Sequence, residues 1–385
     1  MNILKKINAW LHLWLGLASG IVVVIVGFTG CILVFETELE DLTMKHLDAP
    51  NTQNKAMLPP SVLWKSVKHA LPDKEIHSVW YHGKNQTAHF SLDSDSLVYV
   101  NPYTAEVVAM VDHEDFFHFI LDGHTSLWIE GKIGTGIVSY ATLIFFILLI
   151  TGIVLWWPKK WTKSEREKAL TIKWQAKFKR VNYDLHNVLG FYSLTVALIL
   201  TITGLIMGFQ WFNKGFYSLV SGGQEPPRYE RAFSDTTQNL PLASLSNVDA
   251  AWRKGVTEIG VLNKEAIIVS FPDKPSEPID LCTDMHNGSW RYVYLDQHTL
   301  EELPASQPQI AELDVAQWLR RTNYAWHVGA IGGMPTKILF FLASLICTSL
   351  PITGFYIWWG KKTKTKKRGK ALSPNPYLSV STNKA

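Results

Sequence analysis

Apolar residues are concentrated in four long runs along the chain, with polar stretches between them. Each run lacks Asp, Glu, Lys and Arg and is long enough for the ~20 residues that a helix needs to cross a bilayer. The runs are residues 7–35, 133–158, 185–213 and 338–360. The pattern therefore predicts four transmembrane helices.

The first run also has features of a signal sequence. Lys5 and Lys6 precede it, and Gly30-Cys31 faintly resembles a lipoprotein cleavage site. The apolar residues continue through Phe35, which makes the run too long for the core of an ordinary signal sequence. We therefore expect the first run to be a retained span.

Basic residues are distributed unevenly between the connections. Segment 158–182 carries nine Lys and Arg against two acidic residues, and the tail after Gly360 carries eight against none. Because cytoplasmic flanks of membrane spans are enriched in Lys and Arg, we expect these segments and the N-terminus in the cytoplasm. The connections 36–131 and 214–335 then face outward.

Each outer connection is long enough for a small folded domain. In both, a short amphipathic helix, at 61–71 and at 245–259, precedes several strand-like runs, which indicates an α+β unit. The strand-like runs are 77–81, 87–92 and 97–100 in the first connection and 266–271, 279–283 and 290–295 in the second.

Corresponding motifs recur in the two halves of the chain. His12 and His186 each precede a Thr-Gly pair by 17 residues, and His124 and His327 precede such pairs by 27 and 26 residues. We interpret the chain as a tandem duplication of helix, outer domain and helix. Both units begin inside, so parallel repeats related by a pseudo-twofold axis along the membrane normal are expected.

The amino-acid composition excludes several classes of protein and of metal site. With 47% hydrophobic and only 18% charged residues, the chain is neither disordered nor an ordinary soluble protein. Its three cysteines, Cys31, Cys282 and Cys347, lie in unrelated contexts, which excludes a disulfide framework, a cysteine zinc site and the C-x-x-C-H attachment of c-type haem. Any redox centre needs other ligands. The net charge of +4 is modest, and no nucleic-acid partner is expected.

Four of the 13 histidines lie at equivalent span ends. The twofold axis would bring His12 to His186 near the cytoplasmic face and His124 to His327 near the outer face. Helix-borne imidazoles that project into a bundle can hold an iron porphyrin between them. We therefore predict two b-type haems with bis-His ligation. Two histidine ligands leave no open position on the iron, which favours electron transfer over oxygen chemistry.

Simpler interpretations stay open for these residues. An interfacial histidine is commonly a polar residue at headgroup level, although ionisable residues within a membrane are functional candidates. His118 is the alternative to His124 as the outer ligand, and His113 is interpreted as a surface residue. The Thr-Gly pairs are interpreted chiefly as helix-packing positions. Six basic residues either pair with haem propionates or simply flank the spans: Lys132, Arg320, Arg321 and Lys337 outside, and Lys6 and Arg180 inside.

Motifs from all four spans carry a resemblance to a known family. They are Leu11-His12 with Leu15-Gly16, Gly152 through Trp156-Trp157-Pro158, Asp184-Leu185-His186-Asn187 with Gly190, and Trp326-His327 leading to Pro351-Ile352-Thr353-Gly354. In these the chain resembles the PepSY-associated transmembrane family of iron-regulated membrane proteins. The stretch 98–107 is similar to the end of a PepSY module, with Ala105 where Gly is usual.

The resemblance implies a bacterial inner-membrane protein and, in some members, a di-haem reductase of ferric siderophores on the periplasmic side. The expected fold is a four-helix transmembrane bundle from a tandem repeat with two small α+β, PepSY-like periplasmic domains. We assign 1–36, 132–158, 184–212 and 335–360 to the spans, 37–131 and 213–334 to the periplasmic domains, 159–183 to a basic cytoplasmic loop and 361–385 to a basic cytoplasmic tail.

The leading functional hypothesis is an inner-membrane reductase that passes electrons from the cytoplasmic side to a periplasmic ferric siderophore, releasing Fe(II) for iron uptake. The chain has no dinucleotide fingerprint or P-loop, so a cytoplasmic flavoprotein or quinol is the expected donor. The alternative is a haem-free, membrane-anchored PepSY module that regulates a peptidase or binds a periplasmic partner. A transporter is disfavoured because the spans carry almost no charged residues to line a substrate path.

Overall fold

The computed structural model describes residues 3–51, 53–93, 96–112, 116–228, 230–237, 240–259, 266–283 and 288–371. The chain divides into two compact units. The helix unit contains the chain up to Gly30, residues 124–201 and the chain from Leu342 onward, and the sheet unit contains residues 31–123 and 202–341.

Four helical stretches are long and apolar enough to cross a membrane: Ile3–Leu33, Lys132–Trp156, Phe178–Gly208 and Met334–Gly360. They confirm the four predicted spans. In the described residues the α-helices are α1 (Ile3–Leu33), α2 (Glu36–Thr43), α3 (Pro60–Ala70), α4 (Phe116–Ser126), α5 (Lys132–Trp156), α6 (Lys163–Leu170), α7 (Phe178–Asp184), α8 (Gly190–Gly208), α9 (Gln210–Ser221), α10 (Leu245–Lys254), α11 (Val315–Arg321), α12 (Asn323–His327) and α13 (Met334–Ala371).

The third membrane-length helix is interrupted by a wider turn. A π-helical segment, Leu185–Leu189, joins α7 to α8 and contains His186. Just before it, the fully buried carboxylate of Asp184 pairs with the guanidinium of Arg180 at 2.9 Å and accepts the backbone N–H of Lys173. Such π-turns are rare in α-helices and are frequent at functional sites.

Small residues allow close helix contacts in the helix unit. A Cβ added at Gly20 would lie 3.3 Å from the Cβ of Pro351, and one added at Gly27 would collide with the side chain of Thr348. Close approach of backbones at small residues is the usual packing mode of membrane helices, where water provides no hydrophobic drive between them.

The sheet unit is built on one antiparallel sheet. Its seven strands are β1 (Ile76–Tyr81), β2 (Ala88–Leu92), β3 (Ser96–Val100), β4 (Val107–Asp112), β5 (Ile267–Ser270), β6 (Ile279–Thr283) and β7 (Arg291–Leu295), in the order β4-β3-β2-β1-β5-β6-β7. β1 pairs with β5 from Ser78 opposite Ser270 to Tyr81 opposite Ile267. The strands of both outer connections therefore form a single sheet.

Two helices cover this sheet. Side chains of α3 and α10, including Leu63, Val67 and Trp252, are buried against strand residues such as Phe90 and Leu281. The removal of these apolar surfaces from water is the main stabilising contribution of the unit. The two helices are also tied together, because the backbone N–H and hydroxyl of Ser61 donate to the carboxylate of Asp249 at 2.8 and 2.6 Å.

All predicted strands and both predicted helices are present, with small differences in their bounds. The second helix is α-helical to Lys254 and continues as a π-turn, Gly255–Ile259. The sequence did not predict β4, nor the pairing of β1 with β5 that makes one sheet from two groups of strands.

Candidate functional site

Two of the four candidate histidines lie side by side in the helix unit. The ring centroids of His12 and His186 are 6.4 Å apart and the ring planes are perpendicular, at 89°. A directly hydrogen-bonded histidine pair elsewhere in the chain provides a comparison: Nε2 of His82 lies 2.8 Å from Nδ1 of His89, with centroids only 4.9 Å apart. His12 and His186 are therefore too far apart for the same direct contact.

The separation fits a metal ion between the rings. A metal bonded to one nitrogen of each ring at ~2 Å, with each nitrogen ~1.1 Å from its ring centroid, separates the centroids by roughly 6 Å. The 6.4 Å between His12 and His186 agrees with this value. The planes of two axial imidazoles both contain the metal–nitrogen axis and are free to lie at any angle about it, so the observed 89° is compatible. His12 and His186 could therefore hold a metal ion between them.

Threonines fix which nitrogen of each ring carries the proton. Nδ1 of His12 lies 2.9 Å from Oγ1 of Thr151, and Nδ1 of His186 lies 2.9 Å from Oγ1 of Thr353. The two hydroxyls donate their own protons to carbonyls one turn earlier in their helices. Each hydroxyl therefore accepts from the imidazole N–H, and the carbonyl of Leu148 is a further acceptor for His12. The tautomer follows from these hydrogen bonds.

The position of the proton decides which nitrogen of each ring can bind a metal. With the proton held on Nδ1, the lone pair of each ring is on Nε2, which is the form in which a neutral imidazole binds a metal. Histidine ligands in metalloproteins commonly donate their other N–H to an acceptor, and this contact orients the ring and increases its basicity. His12 and His186 have this arrangement through Thr151 and Thr353.

The remaining two candidates make the same kind of contact. In the helix unit, Nδ1 of His124 lies 2.9 Å from the carbonyl oxygen of Val26 and 3.2 Å from Oγ1 of Thr29. A carbonyl accepts only, so His124 also carries its proton on Nδ1. Burial lowers the pKa of His124, which favours the neutral ring. In the sheet unit, Nδ1 of His327 lies 2.8 Å from Oγ1 of Thr203.

The glycine after each threonine gives the ring room. A Cβ added at Gly152 or Gly354 would lie 3.3 Å from Cε1 of the neighbouring His12 or His186, and one added at Gly30 would lie 3.0 Å from Cε1 of His124. Three Thr-Gly pairs are thus contact surfaces for a histidine, a role that the sequence interpretation as helix-packing positions did not include.

An asparagine four residues before the histidine is a further part of three of these sites. The side-chain amide of Asn8 donates to the carbonyl of Thr151, and that of Asn182 donates to the carbonyl of Thr353, each at 3.0 Å. Asn323 does the same to Thr203 at 3.2 Å. Residues four apart share one face of a helix, so each asparagine–histidine pair holds one Thr-Gly segment. Sequence reasoning missed these asparagines, although the shared spacing was visible.

Comparison with known proteins decides the family. The model of the PepSY-associated TM region matches residues 9–361. The chain belongs to this family. No curated protein sequence matches it significantly.

The match confirms the family resemblance that the sequence motifs indicated. All four predicted histidines of this PepSY-associated chain lie in segments that the structure describes. His12, His124 and His186 lie in the helix unit and His327 lies in the sheet unit. His118, the alternative outer ligand, lies 3.9 Å from the carboxylate of Asp122. His113 lies outside the described residues.

Two groups of basic residues have partners of their own. The ammonium of Lys337 pairs with the carboxylate of Glu38 at 2.7 Å. Arg320 and Arg321 donate to carbonyl oxygens of Pro227 and Pro308 at the wall of a pocket. Among the described residues, no group of three or more His, Cys, Asp or Glu is placed to hold a metal ion by itself.

Proposed function

We propose that this PepSY-associated protein is a di-haem oxidoreductase of the bacterial inner membrane that reduces periplasmic ferric siderophores. The single observation that supports it most strongly is the pair His12 and His186, with ring centroids 6.4 Å apart. The threonine contacts on both Nδ1 atoms support the proposal, because they would orient both rings for a metal before it binds.

The protein's own residues would hold and orient two b-type haems. His12 and His186 are the proposed axial ligands of one, and His124 and His327 of the other. Their threonine partners would keep each ring in one tautomer and one orientation. The absence of a C-x-x-C-H motif means that no thioether bonds are available. When bound, such haems would supply reversible one-electron transfer at iron.

The charge distribution supports the proposed direction. The basic segment 158–182 and the basic tail support a cytoplasmic location of the His12–His186 end, where a flavoprotein or quinol would donate electrons. The ferric siderophore would accept them on the periplasmic side. Each ferric ion gains one electron and becomes Fe(II), and no atom is transferred. Hard oxygen ligands hold Fe(II) less well than Fe(III), so the iron is released for uptake.

The test is the visible spectrum of the detergent-purified chain, oxidised and reduced with dithionite, with a pyridine haemochrome count. We expect about two b haems per chain, and about one in His186→Ala or His327→Ala. His69→Ala is a matched control because His69 is an exposed residue at the end of α3. The reduced protein should be reoxidised by ferric siderophores.

Three outcomes would contradict this proposal in different ways. A protein that stays colourless after expression with added haem removes the redox function and favours the haem-free PepSY module. Loss of the second haem in His118→Ala, with retention in His124→Ala, reassigns the outer ligand. Normal haem content without reoxidation by any ferric siderophore leaves a haem protein with another electron acceptor.

A further inference from the structure

The sheet unit contains a pocket of about 240 Å³ whose wall is rich in arginine. Its charged lining residues, among those described, are Arg228, Arg320 and Arg321 against Glu230. Pro227, Pro304 and Pro308 also line it, and prolines limit the backbone freedom of the wall. The pocket thus combines a small volume with an excess of positive charge.

Hydrogen bonds fix the two arginines of α11. Nη1 of Arg320 donates to the carbonyl of Pro227 at 3.0 Å. Nη1 of Arg321 donates to the carbonyl of Pro308 at 2.6 Å, and its Nη2 donates to Oε1 of Gln307 at 2.7 Å. These three acceptors are neutral, and they orient the guanidinium groups. A planar guanidinium held in this way is suited to a carboxylate, which it can bind through two parallel hydrogen bonds.

The nearest acidic residues along the chain are engaged elsewhere. The carboxylate of Asp314 caps α11 by accepting the backbone N–H of Gln317, and that of Glu312 accepts the backbone N–H of Gln309. Both contacts belong to helix starts, where carboxylates stabilise unpaired N–H groups.

The pocket wall leads directly to a proposed haem ligand. α11 ends at Arg321, Thr322 follows, and α12 ends at His327. Arg321 and His327 are six residues apart in the chain, and the single residue Thr322 joins their helices. The indole rings of Trp318 in α11 and Trp326 in α12 also make an edge contact, with centroids 6.2 Å apart.

The first half of the chain has no equivalent. The residues that precede His124, in α4 from Phe116, include no Lys or Arg and are largely aromatic and aliphatic. Two halves with matching histidines and threonines therefore differ at this position. The histidine–threonine contacts occur in both halves. They therefore do not explain why these arginines occur in only one half.

We infer that this pocket binds a small, polycarboxylate chelate of a trivalent metal ion, and so positions anionic ferric chelates near His327. The inference rests on the proposed reductase function for its biological substrate, and it narrows that substrate to complexes with exposed carboxylates. The volume admits a citrate-sized ligand or a peripheral carboxylate arm.

The test uses Ga(III) citrate, which resembles the ferric complex and is not reduced, so binding is measured separately from electron transfer. Titration of the full-length, detergent-purified protein by calorimetry at low salt should show saturable binding that weakens as ionic strength rises. We expect Arg228→Gln to weaken binding by about tenfold, Arg228→Glu to weaken it further and Arg228→Lys to restore most of it. Arg253→Gln, which changes an exposed arginine on α10, is the control.

The outcomes separate this inference from the proposed function. Ga(III) citrate binding that depends on Arg228 supports the pocket even in a protein without haem. Equal affinity for metal-free citrate and Ga(III) citrate would overturn the chelate assignment. Binding that is unchanged in Arg228→Gln and in Arg320→Gln would overturn the pocket. Arginine variants that lose haem while binding Ga(III) citrate normally would show that these arginines serve a propionate instead.

Discussion

Replacement of Thr353 by valine tests the central geometric argument. Valine has nearly the same shape as threonine and lacks the hydroxyl that lies 2.9 Å from Nδ1 of His186. The change removes one acceptor of the imidazole proton and leaves the carbonyl of Leu350 as the other. The ring therefore loses an orienting contact and part of its preference for the metal-binding tautomer. The overall packing of α13 is expected to remain.

The expected magnitude follows from two considerations. A net hydrogen bond of this kind contributes about 1 kcal/mol. Changes to the partner of a metal-bound histidine typically reduce metal affinity by about 10- to 100-fold. We therefore expect Thr353→Val to release haem at least about tenfold more readily, which corresponds to ~1.4 kcal/mol. Thr353→Ser keeps the hydroxyl and should behave nearly as the wild type.

The assay is transfer of haem to excess apomyoglobin, together with a potentiometric titration of the haem that remains. Thr142→Val is the matched control, because the Thr142 hydroxyl donates only within its own helix, to the carbonyl of Val138. Thr151→Val should weaken the same haem from the opposite side. An unchanged transfer rate and an unchanged potential in both Thr353→Val and Thr151→Val would refute the role assigned to these hydroxyls.

Three further changes have distinct expected outcomes. Gly354→Ala places a Cβ 3.3 Å from the imidazole of His186 and should shift the haem spectrum, whereas Gly136→Ala, with no atom within 4 Å of the added Cβ, should leave it unchanged; identical spectra would contradict the close-approach argument. Asn182→Ala removes the side-chain hydrogen bond to the α13 backbone and should lower stability by about 1 kcal/mol, measured as a lower thermal midpoint. Burial and a neighbouring carboxylate raise the pKa of Asp280 to about 6, so its ionisation opposes folding increasingly as pH rises from about 4 to about 6 and fully above that. Asp280→Asn should therefore raise the free energy of unfolding at pH 8 by at most about 3 kcal/mol, seen as a higher thermal midpoint, and leave both nearly unchanged at pH 4. An equal effect at both pH values would exclude ionisation of Asp280 as the cause.

The sequence determined the membrane spans by itself. A helix in lipid must satisfy its backbone internally and cover itself with apolar side chains, so four long runs without charges predict four spans. The length of the first run disfavours a signal sequence. The strands of the sheet unit were also readable, because alternation and turn residues are local signals. The equal spacing of the histidines from the Thr-Gly pairs selected His12 and His186 from 13 histidines without any structure.

Only the tertiary structure decided what these residues contact. The bond between His12 and Thr151 joins residues 139 positions apart, and that between His186 and Thr353 joins residues 167 apart. The pairing of β1 with β5 and the pocket near Arg320 likewise bring together distant segments. A local sequence pattern specifies which face of a helix or strand is apolar or polar. Which other element packs against that face depends on the fold of the whole chain.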